Sequence, residues 1–255
     1  MKNEVGCFVV NLEKDVERRE NISRQLEKAG IPYTIFSAVY GKFLTPEELA
    51  QHYDKRRAIE LSHDLTPSEI GCALSHVFTY RKMLEEGMQY ALVLEDDAQL
   101  SEDLPAVLTG LQREYASSEP VVFLLNHVRK YKNRKTRRLD EKYMVADIYG
   151  TPIRANGYFV TRAAAKQLLD NLYPVWAVAD DWAVFNRDFV TVKAVVPYCV
   201  GLSEHAQFSN LESERQGVQL KRSIGYHLHQ LFYHKFINQL LIRPFQRVSK
   251  QDETW

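Results

Sequence analysis

The first forty residues constrain the fold more than any other stretch. An apolar run, VGCFVVN (5–11), precedes DVERRENISRQLEKAG (15–30), and PYTIFSAVY (32–40) follows. The first run has the length and content of a buried strand, and the third reads as a second strand. In the middle stretch Asp15 is a candidate N-cap, Ile22 and Leu26 stand four apart, and Gly30 is a stop signal. Strand, helix and strand in so short a span form a βαβ unit with a parallel pair.

The alternation continues. TPEEL (45–49) and TPSEI (66–70) are helix openings, with Thr as cap, Pro at the first helical position and acids in the first turn. The second helix is expected to run to about Glu86 and to end at Gly87. A strand over 90–96, a helix around 102–116 and a strand over 121–125 come next. Residues 129–138, RKYKNRKTRR, hold seven Lys or Arg and no acid, and are expected to form a mobile loop. Strands over 143–150 and 156–161 follow, then a helix from Thr161, a short helix around 179–188 and a strand near 191–200. The expected class is α/β, a mostly parallel central sheet flanked by helices.

From Arg215 onward, cationic residues mix with Leu220, Ile224, Leu228, Phe232 and Phe236 at roughly helical spacing. Two regions are therefore expected: a catalytic domain over 1–212 and a basic amphipathic helical extension over 213–255.

Composition narrows the partners. Lys and Arg number 33 and Asp and Glu 33, so no global field attracts nucleic acid or membrane, and any such attraction is local. Cys7, Cys72 and Cys199 are odd in number and far apart, the pattern of reduced thiols in a cytosolic protein. The apolar run near the start is too short for a signal peptide, and no run approaches the ~20 apolar residues of a membrane span.

In ALVLEDDAQL (91–100), an apolar strand runs straight into Glu95, Asp96 and Asp97. In an extended chain Glu95 and Asp97 fall on one side and Asp96 on the other. At the carboxyl end of a parallel strand they face the crevice where α/β folds bind ligands. Paired carboxylates there suit a hard cation, Mn²⁺ or Mg²⁺, bridging to phosphate oxygens. A solvated strand exit with an acidic cap for the next helix is the plain alternative. A phosphatase nucleophile is a third, disfavoured by Ala98 and Gln99 and by the lack of a supporting Lys motif.

Three segments, VVNLEKDVERRENISRQLEKAGIPYTIFSAVYGK, TPSEIGCALSH and ALVLEDDA, occur in an order and spacing that resemble glycosyltransferase family 25. That family extends bacterial lipopolysaccharide and lipooligosaccharide cores and includes relatives that galactosylate collagen. The resemblance covers about residues 5–210. It implies a GT-A-like fold, a nucleotide-sugar donor and inverting transfer. Glu95-Asp96-Asp97 then resembles the D-x-D metal motif, with Glu95 in the first position, Asp97 as second ligand and Asp96 beside the donor. Asn11 and Leu12 fall where such a fold holds the nucleotide base. Arg18 and Arg19 are candidates for phosphate or base, or else sit on a solvated helix face. Ser75 and His76 of GCALSH are expected to line the donor site. They diverge by ~100° around the helix, which argues against a nucleophile–base pair.

Inverting transfer needs a general base for the acceptor hydroxyl. Asp181, with Asp180 as alternative, is the candidate; an acidic cap beside a core Trp is the other reading of ADDWAV. Trp182 is a candidate sugar-stacking face. NGYFVTRAAAKQL (156–168) resembles another family segment, which nominates Gly157 and Tyr158 as acceptor contacts. GT-A enzymes often supply a late His to the metal, here His205, with Gln207 and Ser209 as phosphate contacts.

The expected activity is transfer of a hexose, galactose from UDP-galactose, to a terminal lipooligosaccharide sugar. UDP-glucose is the alternative donor, and a non-catalytic carbohydrate- or membrane-binding protein is the alternative of another class. Both basic segments suit docking at the anionic inner membrane of a Gram-negative bacterium, from the cytoplasmic side. Balanced overall charge disfavours nucleic acid as the partner.

Overall fold

In the computed structural model, which describes residues 5–203 and 247–251, the opening βαβ unit forms as expected. Strand β1 (Val5–Asn11) leads into helix α1 (Val16–Ala29) and strand β2 (Thr34–Ser37), which lies parallel to β1. Gly30 ends α1 in the left-handed region, φ +66°, with its N–H on the carbonyls of Leu26 and Glu27. Asp15 sits at the N-cap, but its side chain makes no capping bond.

The two Thr-Pro openings cap α2 (Pro46–His52) and α4 (Pro67–Glu85) through complete capping boxes, Thr45 with Glu48 and Thr66 with Glu69. Between them lies α3 (Lys55–Leu61), which starts where the Asp54 side chain accepts from the Arg57 N–H. The chain then runs through β3 (Tyr90–Glu95), β4 (Ala98–Leu100), α5 (Leu104–Glu114), β5 (Val121–Leu124), β6 (Lys130–Lys132), β7 (Arg137–Arg138), β8 (Met144–Asp147), β9 (Gly157–Thr161), α6 (Arg162–Leu172), α7 (Trp182–Asp188), β10 (Thr191–Val196) and β11 (Val200–Leu202). Strand β12 (Val248–Lys250) follows in the second described stretch.

The main sheet has the order β2-β1-β3-β9-β5-β10-β8-β7. β9 and β8 run against the other strands, so the sheet is mixed and mostly parallel in direction. Alternation along the strands feeds two cores. Phe8, Val10, Ala91 and Val93 pack with α4, α6 and α7 on one face. Cys7, Val9, Leu92 and Leu94 pack with α1 and α5 on the other. Burial on both faces explains why these strands read as continuous apolar runs. This is the α/β class expected, a mostly parallel central sheet flanked by helices.

Two expectations need correction. The basic stretch 129–138 is not a structureless loop. β6 pairs antiparallel with β12, and β7 pairs with β8 at the sheet edge. Edge strands pair through the backbone while their charged side chains reach outward, half-buried on β6 and exposed on β7, so charge density did not exclude a strand here. The strand expected near 191–200 is two strands. Pro197 lacks the N–H a ladder needs, and after it β11 leaves the main sheet to pair with β4. The extension proposed over 213–255 lies outside the described residues except for 247–251, which hold β12. Among the described residues no helix is long and apolar enough to cross a membrane.

Candidate functional site

From β1 the chain passes to β2 on one side, and β3 is added on the other. A crevice opens at the carboxyl ends of two such diverging strands. Here β1 ends in Asn11 and β3 in Glu95, and an open crevice is lined from several elements. Leu12 comes from the turn after β1, Arg18 from the first turn of α1, Val39 and Tyr40 from the loop after β2, and Ser75 and His76 from α4. Glu95, Asp96 and Asp97 complete it.

The three acids do not alternate as an extended chain would. The chain turns after Glu95, so Asp96 and Asp97 converge on one guanidinium. Arg18 Nε lies 3.1 Å from Asp96 Oδ1, and Arg18 Nη2 lies 2.8 Å from Asp97 Oδ2. Buried Asn11 donates from Nδ2 to Asp96 Oδ2 at 2.7 Å and to the Asp15 carbonyl at 3.1 Å. Glu95 keeps a partly exposed side chain, with Oε1 3.4 Å from His76 Nε2. Asp96 thus anchors Asn11 and Arg18, while Glu95 and Asp97 flank it on the crevice wall.

Electrostatics shows what this cluster lacks. Burial pushes Asp96 up to about 6 although Arg18 and Asn11 favour its charged form. Asp97 is pushed up to about 7, first by burial and next by the charge of Glu95, with Arg18 opposing. One guanidinium does not offset two carboxylates withdrawn from water beside a third. Asp97 Oδ1 is buried and makes no hydrogen bond. An all-oxygen, strongly anionic set with an orphaned buried oxygen fits a divalent Mn²⁺ or Mg²⁺, which Glu95 and Asp97 would hold.

Helix α4 forms the opposite wall through close packing. The Ser75 hydroxyl donates to the Gly71 carbonyl at 2.7 Å and accepts from the Val39 N–H at 2.8 Å. Ser75 therefore pins the 38–41 loop and has no proton left to donate to a ligand. A Cβ on Gly71 would lie 2.5 Å from the Val39 carbonyl oxygen and 2.6 Å from the Gly41 nitrogen. Only glycine permits this approach. His76 Nδ1 hydrogen-bonds the Tyr158 hydroxyl at 2.8 Å, and Tyr158 bonds Tyr80 at 2.9 Å.

A family model described as "Glycosyltransferase family 25 (LPS biosynthesis protein)" matches residues 5–184. The chain belongs to glycosyltransferase family 25. A Haemophilus influenzae relative is 29% identical over 168 residues, 64% of this chain and 56% of that protein, so the chain spans little more than half of its length. The lacto-N-neotetraose biosynthesis glycosyltransferase LgtE of Neisseria meningitidis serogroup B is 27% identical, over 82% of this chain and 81% of that protein. The lipooligosaccharide biosynthesis protein lic2B of Haemophilus influenzae is 24% identical, over 85% and 86%.

In this family-25 glycosyltransferase the residues nominated for the acceptor take other roles. Tyr158 and Trp182 are both 0% exposed and pack edge to face, with ring centroids 5.1 Å apart. Neither offers a face to a sugar. Gly157 does allow a close approach, but to β11: a Cβ there would lie 2.6 Å from Val200 Cγ1. Asp181 caps α7, its Oδ1 accepting from the Val184 N–H at 3.3 Å. Burial holds its carboxyl above the usual range. Asp180 Oδ2 accepts from the Arg154 N–H at 2.9 Å, and Trp182 Nε1 donates to the Arg154 carbonyl at 2.8 Å. The acidic pair and Trp182 are therefore backbone anchors, because a short helix starting after a buried turn needs its cap and its neighbours' amides satisfied. Neither acid is among the residues lining the crevice; Asp180 is bonded instead to the backbone of Arg154, which lines a second cavity. Arg19 does not line it either; Arg18 takes the acids. His205, Gln207 and Ser209 lie outside the described residues.

Sequence reasoning missed a second cavity beyond the acidic turn. Gln99, Asn126, His127, Arg154, Asn156 and Tyr198 help to line it. The turn separates the two spaces: the Glu95 N–H donates to the Asn156 carbonyl at 3.1 Å, and the Ser203 N–H to the Asp97 carbonyl at 2.8 Å. Asn126 and Asn156 each keep a buried Oδ1 without a hydrogen bond. Their one legible signal was amides placed just after β5 and just before β9.

Proposed function

We propose that this glycosyltransferase is an inverting, metal-dependent hexosyltransferase that moves galactose from UDP-galactose to a terminal sugar of a lipooligosaccharide or lipopolysaccharide core. The observation that carries this reading is the gathering of Glu95, Asp96 and Asp97 with Arg18 and Asn11 at the mouth of one crevice. Asn11 and Leu12 place the nucleotide base at the end of β1. Glu95 and Asp97 would hold the Mn²⁺ or Mg²⁺, whose positive charge would stabilise the departing diphosphate. Arg18 holds Asp96 and Asp97 in place and favours their charged forms. The acceptor sugar enters on the far side of the acidic turn, where the orphaned amide oxygens of Asn126 and Asn156 accept from its hydroxyls. That side matches an inverting attack opposite the leaving nucleotide.

Galactose is the sugar that the resemblance to collagen-galactosylating family members implies, and the family description points to the lipopolysaccharide acceptor. We place the reaction at the cytoplasmic face of the inner membrane of a Gram-negative bacterium, with the basic segments against anionic headgroups. The test is UDP release from a panel of UDP-sugars with and without Mn²⁺, for wild type and Asp97→Ala, in the presence of lipooligosaccharide. Metal-dependent release with UDP-galactose, lost in the variant, is expected. Release with UDP-glucose alone would reassign the donor. No release from any sugar would leave a binding protein that keeps the fold.

A further inference from the structure

The crevice wall carries a second set of metal-ligating atoms that the diphosphate site does not use. Cys72 Sγ, His76 Nε2 and a Glu95 carboxylate oxygen lie within 4.8 Å of one another. We propose that Cys72, His76 and Glu95 form a site for a borderline, thiophilic divalent cation such as Zn²⁺. It is distinct in ligand chemistry from the all-oxygen site of Glu95 and Asp97, with which it shares Glu95. The proposal goes beyond the transfer reaction and stands whether or not a sugar is moved.

Four observations support it. Cys72 and His76 are four apart on α4, so both project from one helical face into the crevice. The His76 side chain is 2% exposed, yet its Nε2 makes no hydrogen bond; the Glu95 oxygen 3.4 Å away is near but misaligned. A buried, unbonded ring nitrogen aimed at a carboxylate, with a sulfur beside them, has the composition of a metal-ligand set. His76 Nδ1 is held by the Tyr158 hydroxyl at 2.8 Å, the outer partner that orients a metal-binding imidazole. Finally, Cys72 is the one thiol of the three that opens to the crevice, while Cys7 and Cys199 are buried.

The charges and protons balance. Thiolate and carboxylate each bring −1, imidazole is neutral, and the dication is cancelled. Cys72 releases its thiol proton to solvent as the sulfur–metal bond forms. The imidazole proton resides on Nδ1, donated to Tyr158, so that Nε2 is free to ligate. Three protein ligands leave a fourth position open toward the crevice. A mixed S/N/O set selects Zn²⁺ or Co²⁺ over Mg²⁺, which takes oxygen alone. Because Glu95 belongs to both sites, filling one withdraws a ligand from the other.

Co²⁺ titrated into the metal-free full chain reports the sulfur directly through a thiolate-to-cobalt charge-transfer band. One equivalent should bind with that band, and Zn²⁺ should abolish it by displacement. Cys72→Ala should lose the band and bind Co²⁺ at least tenfold more weakly while its circular dichroism is unchanged. Asp97→Ala should keep the band, because Asp97 belongs only to the oxygen site. Tyr158→Phe should weaken binding by about tenfold and keep the band. Absence of the band in the wild type, or its persistence in Cys72→Ala, would overturn the proposal. So would Co²⁺ binding that Asp97→Ala removes and Cys72→Ala leaves unchanged. None of these outcomes depends on turnover, so a failed transfer assay leaves this test intact.

Discussion

At Asp96 and Asp97 burial outweighs the attraction of Arg18, and this has a measurable sign. Both carboxyls titrate above the unfolded value of about 3.9. Between about pH 4 and pH 7 the metal-free folded chain therefore holds protons that the unfolded chain has released. Its stability falls as pH rises through that window and levels off above it. Thermal melts of the metal-free protein should follow that course, and Mn²⁺ should stabilise more at pH 8 than at pH 5. Asp97→Asn should raise the metal-free midpoint at pH 8 and remove most of the Mn²⁺ effect. Asp181 supplies a second residue-level check. Asp181→Ala should cost about 0.5–2 kcal/mol through loss of the α7 cap, whereas Asn caps as well as Asp and should leave stability and turnover near wild type. A turnover collapse in Asp181→Asn without a stability change would assign it the role of general base. Glu95, Asp97, Arg18 and Asn11 were legible in the sequence because strand ends and the first turn of a following helix meet by construction. The burial of Trp182 and Tyr158 was not, since an aromatic beside an acid looks the same whether its ring faces a sugar or a core.

At the scale of elements, the crevice wall depends on how near α4 lies to the 38–41 loop. Gly71→Ala should force the two apart, destabilise the fold by about 1–3 kcal/mol and weaken nucleotide binding, because Val39 and Tyr40 move with the loop. Calorimetric UDP binding beside a denaturation curve checks this; unchanged binding would show that the loop does not shape the pocket. Helix starts were read closely because Thr-Pro-x-Glu carries its own cap within four residues. The glycine in GCALSH was noticed only as part of a motif. Its reason, a backbone thirty residues earlier, is tertiary. The basic stretch 129–138 failed as a reading for the same cause, since the partner of β6 lies at 248–250.

For the molecule as a whole, β12 ties the far end of the chain to the rest. Besides the β6 ladder, Gln251 accepts at its side-chain oxygen from the Val128 N–H at 3.2 Å, and its carbonyl bonds His127 Nε2 at 3.0 Å. Truncation after residue 246 should speed amide exchange through 128–132 and leave the β1–β3 core protected. Equal protection in the truncated chain would make the β6–β12 pairing incidental. His127 also helps to line the cavity assigned to the acceptor, so this end of the chain touches the site's outer wall.

The strand pairs β4–β11 and β6–β12 attach the chain to the body at Leu202 and again at Val248. The β6–β12 ladder joins stretches far apart in the sequence. The entropy of closing such a loop grows only as the logarithm of its length, so the ladder is nearly indifferent to how many residues it encloses.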